Sequence, residues 1–257
     1  MKRNPVLEIN SVSKSFGGLI ALSDITLDIQ QGEICGLIGP NGAGKTTLFN
    51  ILTGIYSPDA GGFRINGRDC KNLKPHLVVK AGLARTFQNI RLFGNMTGLE
   101  NVMVGCHVRT RVGVVGAIFR NRYARDEEKH IEEKSKALME YVGLDSNVQK
   151  LSNTLSYGDQ RRLEIARALA TDPTIIALDE PAAGMNATET SELRDLLTRI
   201  RKDGITILLI EHDVKLVMGL CNRVAVLDYG VKIAEGKPED IKNNSAVIKA
   251  YLGASLP

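Results

Sequence analysis

Gly39-Pro40-Asn41-Gly42-Ala43-Gly44-Lys45-Thr46-Thr47 decides the reading of this chain. It meets the G-x-x-x-x-G-K-[ST] phosphate-loop pattern at every required position. Its flanks agree with it. The apolar run Ile34-Cys35-Gly36-Leu37-Ile38 predicts a buried strand, and residues 45–53 predict the helix that follows. In that setting the glycines let backbone N–H groups wrap a phosphate, and the helix N-terminus adds partial positive charge. Lys45 is then placed to reach the β- and γ-phosphates, and the Thr46 hydroxyl to ligate Mg²⁺. A chance match in a Gly-rich turn would not bring a strand and a helix with it. The stretch implies binding of a nucleoside triphosphate.

Working outward, 257 residues suffice for one large α/β domain, or a core with a smaller insertion. Hydrophobic content of 43% and charged content of 24% are ordinary for a globular protein. A net charge of +4 is too mild to argue for nucleic acid. Met1-Lys2-Arg3-Asn4-Pro5 leads into alternating residues, which predicts no signal peptide, and no apolar run approaches the ~20 residues of a membrane helix. Cys35, Cys70, Cys106 and Cys221 are scattered without C-x-x-C spacing. They read as reduced thiols rather than a metal site or disulfide framework.

Upstream of the loop, residues 6–38 read as strands, with Ile25, Leu27 and Ile29 alternating with polar residues. Phe16, in Ser15-Phe16-Gly17-Gly18, is either a base-stacking aromatic or a core residue. Downstream, residues 61–67 predict a short strand ending in an Asn-Gly turn. Residues 81–88 predict another, with Gln88 near its end. Residues 126–142 predict an amphipathic helix carrying Ile131, Leu138 and Val142 on one face and stopped by Gly143. Before it, residues 107–125 carry Arg109, Arg111, Arg120, Arg122 and Arg125 around the apolar run 112–119. This segment is either a patch for anionic lipid or a membrane partner, or a solvated insertion loop.

Leu155-Ser156-Tyr157-Gly158-Asp159-Gln160 opens a strong helix, and Ser156 with Asp159 fits a capping box. The same free N–H groups could hold a second phosphate. Thr174-Ile175-Ile176-Ala177-Leu178-Asp179-Glu180 is an apolar strand ending in two carboxylates, which is costly unless they meet a cation or water. Asp179 suits contact with Mg²⁺, directly or through bound water, and Glu180 suits a general base that polarises the attacking water. Residues 188–202 predict a helix stopped by Gly204. Residues 205–210 predict a strand whose carboxyl end carries His212, where α/β sheets bind ligands. A hairpin follows across Asp228-Tyr229-Gly230, then two short helices from Pro238.

Taken in order, the phosphate loop, Gln88, Leu155-Ser156-Tyr157-Gly158, Asp179-Glu180 and His212 resemble the ATP-binding cassette (ABC) ATPase family, over most of the chain. The resemblance implies an α/β fold, a P-loop (RecA-like) ABC nucleotide-binding domain with an antiparallel β subdomain and an inserted helical subdomain. Residues 1–88 and 162–236 would form the core, 89–161 the helical insertion and 237–257 a helical tail. ATP would contact Phe16 through its adenine and Gly39, Pro40, Asn41, Gly42, Ala43, Gly44, Lys45, Thr46 and Thr47 through its phosphates. Glu180 is similar to the catalytic base, Gln88 to the residue that senses Mg²⁺ and water and couples to the transport domains, and His212 to the γ-phosphate switch. Thr46, Gln88 and Asp179 would face Mg²⁺. Such cassettes dimerise head to tail, so Ser156, Tyr157, Gly158 and Asp159 would meet ATP held by the other subunit. The family signature usually reads L-S-G-G-Q; here Tyr157 and Asp159 replace a Gly and the Gln, and Asn186 stands at the usual place of an Asp.

Arg85-Thr86-Phe87-Gln88-Asn89-Ile90-Arg91-Leu92-Phe93, Asp179-Glu180-Pro181-Ala182-Ala183-Gly184-Met185-Asn186, Ile210-Glu211-His212-Asp213-Val214 and Ala250-Tyr251-Leu252-Gly253 look closely like one subgroup. It is similar to the ATPase subunits of branched-chain amino-acid importers, with lipopolysaccharide-export ATPases sharing some features. That resemblance implies transmembrane permease subunits and a second cassette, identical or different, as partners, with an extracytoplasmic solute-binding protein engaged indirectly and no nucleic acid. The place of work would be the cytoplasmic face of the inner membrane, held peripherally. A DNA-repair cassette would need a long coiled-coil insertion, and a translation-factor cassette would resemble two cassettes in one chain. A P-loop small-molecule kinase has no use for the Ser156–Gly158 helix start, and a non-catalytic ATP-binding protein none for Glu180 and His212.

Overall fold

The computed structural model describes residues 5–110 and 122–253. Arg111, Arg120 and the apolar run 112–119 lie outside the described residues. The chain begins with a long antiparallel pair, β1 (Pro5–Phe16) and β2 (Leu19–Gln30). β3 (Ile34–Ile38) leads into α1 (Lys45–Leu52), and β4 (Ala60–Ile65) and β5 (Arg68–Asp69) follow. Asn66 and Gly67 both take positive φ, which the tight β4–β5 turn requires. β1, β2, β4 and β5 form a four-stranded antiparallel sheet of order β2-β1-β4-β5.

Next come α2 (Pro75–Ala81), β6 (Leu83–Arg85), α3 (Gly98–Cys106), α4 (Arg122–Tyr141) and α5 (Tyr157–Leu169). β7 (Ile175–Asp179), α6 (Ala187–Lys202), β8 (Thr206–Ile210) and α7 (Val214–Leu220) lead to the hairpin of β9 (Arg223–Asp228) and β10 (Val231–Gly236). α8 (Pro238–Lys242) and α9 (Ser245–Gly253) close the described chain. The second sheet has the order β10-β9-β3-β8-β7-β6, parallel throughout except for β10.

Every residue of β3, β7 and β8 is buried, the continuous apolar pattern of a parallel sheet covered on both faces. Alternate side chains separate the two layers. Cys35, Leu37, Ala177 and Ile210 pack with α1 and the inner face of the antiparallel sheet. Ile34, Ile38, Leu178 and Leu209 pack with Leu163 and Ile165 of α5, Leu197 and Ile200 of α6, and Val217 of α7. Helix starts are set locally. Asn186 and Glu189 form a complete capping box for α6, and the Asp213 carboxylate accepts from Lys215 and Leu216 N–H at the start of α7.

Three sequence expectations change. The strand placed at 81–88 is only Leu83–Arg85: Ala81 ends α2, and Gly82 terminates that helix at φ +114°. Ser156 does cap α5, accepting from Asp159 N–H at 3.1 Å, but the capping box is half made. The Asp159 carboxylate turns instead to Arg162 at 2.6 Å and Asn147 at 3.4 Å. In the basic segment, Arg109 is exposed but folds back onto the protein, donating to the carbonyls of Thr171, Asp172 and Lys80. It thereby satisfies acceptors past the C-terminal end of α5. All four cysteines are free and buried.

Candidate functional site: a phosphate loop faced by Glu180, Gln88 and His212

The strand ends build the site. Leu37 of β3 and Asp179 of β7 both pair with Ile210 of β8, so the phosphate loop, Glu180 and Glu211 leave the sheet side by side. Gly44 enters α1 at φ +99°, and a Cβ there would stand 2.6 Å from the Ala21 carbonyl, so only glycine fits. Lys45 is 6% exposed, and its Nζ donates to the carbonyls of Gly39 at 2.7 Å and Pro40 at 2.9 Å. Burial pulls its pKa below the usual lysine range, against the opposing pull of Glu180 and Asp179. The first N–H groups of α1 have no intrahelical acceptor, and no side chain caps them.

A cavity of about 490 Å³ opens over this loop, a usual size for a small-molecule site. Asn41 to Thr47 line it, together with Phe16, Gln88, Glu180 and His212. Phe16 is 43% exposed and meets Tyr56 edge to face at 5.3 Å, which removes the core-packing alternative. Gly39, Pro40 and Asp179 do not line it. Ser156, Tyr157, Gly158 and Asp159 do not line this cavity.

Glu180 holds the centre. Its φ of +49° is a strained conformation for a side chain of this size, and it follows directly on the end of β7. One carboxylate oxygen accepts from Gln88 Nε2 at 2.8 Å, and the other lies 2.5 Å from His212 Nε2. Behind it, Glu211 is buried and accepts from the N–H groups of Ala182 at 2.8 Å and His212 at 3.2 Å. Burial raises its pKa above the usual carboxylate range, the backbone donors opposing. Thr46, Gln88 and Asp179 offer oxygen donors alone, a set that suits Mg²⁺ rather than a softer metal.

Several neighbours escaped the sequence reading. Arg85 is the cation that the buried Asp179 requires, at 2.8 Å, and it also donates to Asn50 and Thr53. A basic residue three positions before Gln88, facing a strand that ends in two acids, was the available signal. Tyr229, 86% exposed at φ +43°, lines the cavity from the β9–β10 turn, and nothing in its local sequence marks it.

Residues 22–183 match the family model described as ABC transporter, and residues 231–256 match that of the branched-chain amino acid ATP-binding cassette transporter. The high-affinity branched-chain amino acid transport ATP-binding protein LivG of Salmonella typhimurium is 44% identical over 250 residues, covering 97% of this chain and 98% of LivG. Among solved structures, an ATP-binding cassette of an ABC transporter in its ADP conformation is 30% identical, with a TM-score of 0.84 over 97% of this chain and 99% of that one. A dimeric cassette in a post-hydrolysis state with ADP and Pi is 26% identical, with a TM-score of 0.76 over 90% of this chain and 98% of that one. With its phosphate loop faced by Glu180, Gln88 and His212, and with these likenesses over nearly its whole length, the chain belongs to the ABC transporter family.

Proposed function

We propose that this chain is the ATP-hydrolysing subunit of a membrane importer of branched-chain amino acids. The observation that carries hydrolysis is Glu180, suspended between Gln88 and His212 at the mouth of the phosphate loop. From there its carboxylate can take a proton from a water attacking the γ-phosphate. Phe16 would stack on adenine, Gly39 to Thr47 would cradle the phosphates, and Lys45 would leave the carbonyls of Gly39 and Pro40 for the β- and γ-oxygens. Thr46 and Gln88, with Asp179 reaching it directly or through bound water, would hold Mg²⁺, whose charge would offset that building on those oxygens. His212 would read the γ-phosphate.

Ser156, Tyr157, Gly158 and Asp159, which do not line the cavity, make sense as a surface offered to a second cassette's nucleotide. The likeness to a dimeric cassette supports a dimer, and the head-to-tail pairing is our reading. We take residues 1–88 and 162–236 as the ATP-binding core, 89–161 as the helical insertion and 237–257 as the tail. Among the described residues no helix is long and apolar enough to cross a membrane. By the likeness to ABC transporter subunits, transmembrane permeases would anchor the chain at the cytoplasmic face, with a solute-binding protein reached through them. The solute assignment is supported by the tail, whose residues 231–256 match the branched-chain amino acid model, and by the likeness to LivG.

The test is uptake of labelled leucine by cells lacking this gene, complemented with wild type or Glu180→Gln. Wild type should restore uptake and the variant should not. Leucine, isoleucine and valine uptake untouched by the deletion would overturn the solute assignment. Hydrolysis by purified Glu180→Gln at the wild-type rate would overturn the base.

A further inference from the structure

Arg161 heads the fully buried side chains of the described residues by volume, with no exposed surface. It lies on α5, little more than one turn past Ser156. Its Nη1 donates to the Phe87 carbonyl at 2.6 Å and to Glu164 Oε2 at 2.8 Å. Its Nη2 donates to the Gln88 carbonyl at 2.7 Å and to the Tyr157 hydroxyl at 3.2 Å. Glu164, itself buried, turns its other oxygen to the N–H groups of Phe87 at 3.3 Å and Arg91 at 3.4 Å. The pair therefore grips the main chain around Gln88 from both its carbonyl and its amide side.

Core stability gives no reason for this arrangement. Burying two charges costs free energy that a well-packed apolar pair would not incur. What the guanidinium offers instead is a planar fork whose two terminal nitrogens serve four acceptors at once, the Phe87 and Gln88 carbonyls among them, whereas a lysine has three N–H donors on a single atom. The Gln88 side chain, carried by that main chain, ends 2.8 Å from Glu180. Tyr157 connects the grip to the start of α5 and also packs against Gly184, where a Cβ would stand 3.4 Å from its ring, in the turn that follows Glu180.

We propose that Arg161, braced by Glu164 and Tyr157, is a positioning residue that ties the Ser156–Gly158 helix start to the placement of Gln88 against Glu180. A phosphate bound at that helix start would thus be felt at the hydrolytic site of the same chain. In this account the Tyr at position 157, where the family signature has Gly, supplies a strut. The inference rests on the roles proposed above for Gln88 and Glu180.

The test compares ATP turnover by the full chain in wild type, Arg161→Lys, the double variant Arg161→Leu with Glu164→Leu, Gln88→Ala, and the double variant combined with Gln88→Ala. Arg161→Lys keeps a cation beside Glu164 without the two-nitrogen fork that serves all four acceptors; the double variant removes both charges at similar volume. Each should lower kcat by about tenfold or more while the KM for ATP stays within about threefold, since the phosphate loop is untouched. On the Gln88→Ala background the double variant should add no further loss, because Arg161 acts through Gln88. A kcat within about twofold of wild type in either folded variant overturns the proposal, as does an equal further loss on the Gln88→Ala background. Failure of both variants to fold also overturns it, by assigning the pair to the core. Wild-type turnover by Gln88→Ala would instead remove the proposed role of Gln88.

Discussion

Arg85 Nη2 donates to Asp179 Oδ2 across 2.8 Å, and the two side chains are only 7% and 5% exposed. The last carboxylate of β7 is therefore neutralised from the neighbouring edge strand before any nucleotide arrives. Asn50 and Thr53 at the α1 end accept from Nη1, so one residue joins β6, β7 and the helix behind the phosphate loop.

Arg85→Met should accordingly destabilise the chain by about 3–5 kcal/mol, because it leaves a buried carboxylate unpaired. Urea unfolding measures this directly. A loss under about 1 kcal/mol would mean that Asp179 finds another partner.

His212 is exposed for half its side chain, yet its Nε2 lies 2.5 Å from Glu180. His212→Ala should lower kcat by about a hundredfold, the scale of one lost transition-state hydrogen bond. Stability should stay within about 0.5 kcal/mol, as for other exposed positions. Phosphate release and urea unfolding together separate the two effects, and unchanged kcat would remove His212 from the site.

Burial holds the Glu211 pKa above its ordinary value, so the folded chain binds this proton more tightly than the unfolded chain does. The contribution of Glu211 to stability is therefore full at pH below the ordinary carboxylate range and is lost as pH rises through the raised value. Between pH 8 and pH 5, the unfolding free energy of wild type minus that of Glu211→Gln should become more positive. A difference that stays flat across that window would show that the carboxyl titrates at the same pH in both states.

Cys35, Cys70, Cys106 and Cys221 are all buried, and desolvation pushes the Cys221 thiol up to about 12. Since the thiolate is the reactive form, a disulfide reagent at pH 8 should leave all four unmodified in the native chain and label all four in urea. Rapid labelling of any one in the native state would locate an opening of the core around it.

Much of the site was legible in the sequence because its chemistry is local. A phosphate loop needs a strand, glycines and a helix start in succession, and residues 34–53 carry all three in order. The Asn66-Gly67 turn and the stops at Gly143 and Gly204 were equally readable, since each is a backbone conformation that few residues adopt. The helix at 75–81 was not. Its seven residues are too few to show a period, and the strand beyond it blurred the boundary.

By itself, then, the sequence determined where phosphates would sit, which strand ends carry acids, and which segments alternate between helix and strand. Only the tertiary structure decided which of these meet. The order β10-β9-β3-β8-β7-β6 sets β7 beside β8 and places Arg85 against Asp179, Gln88 and His212 on either side of Glu180, and Arg161 beneath Gln88. These pairs are separated by 94, 92, 32 and 73 residues. Nothing in local propensity encodes contacts at such range; they follow from burying both faces of one parallel sheet, which aligns the carboxyl ends of its strands.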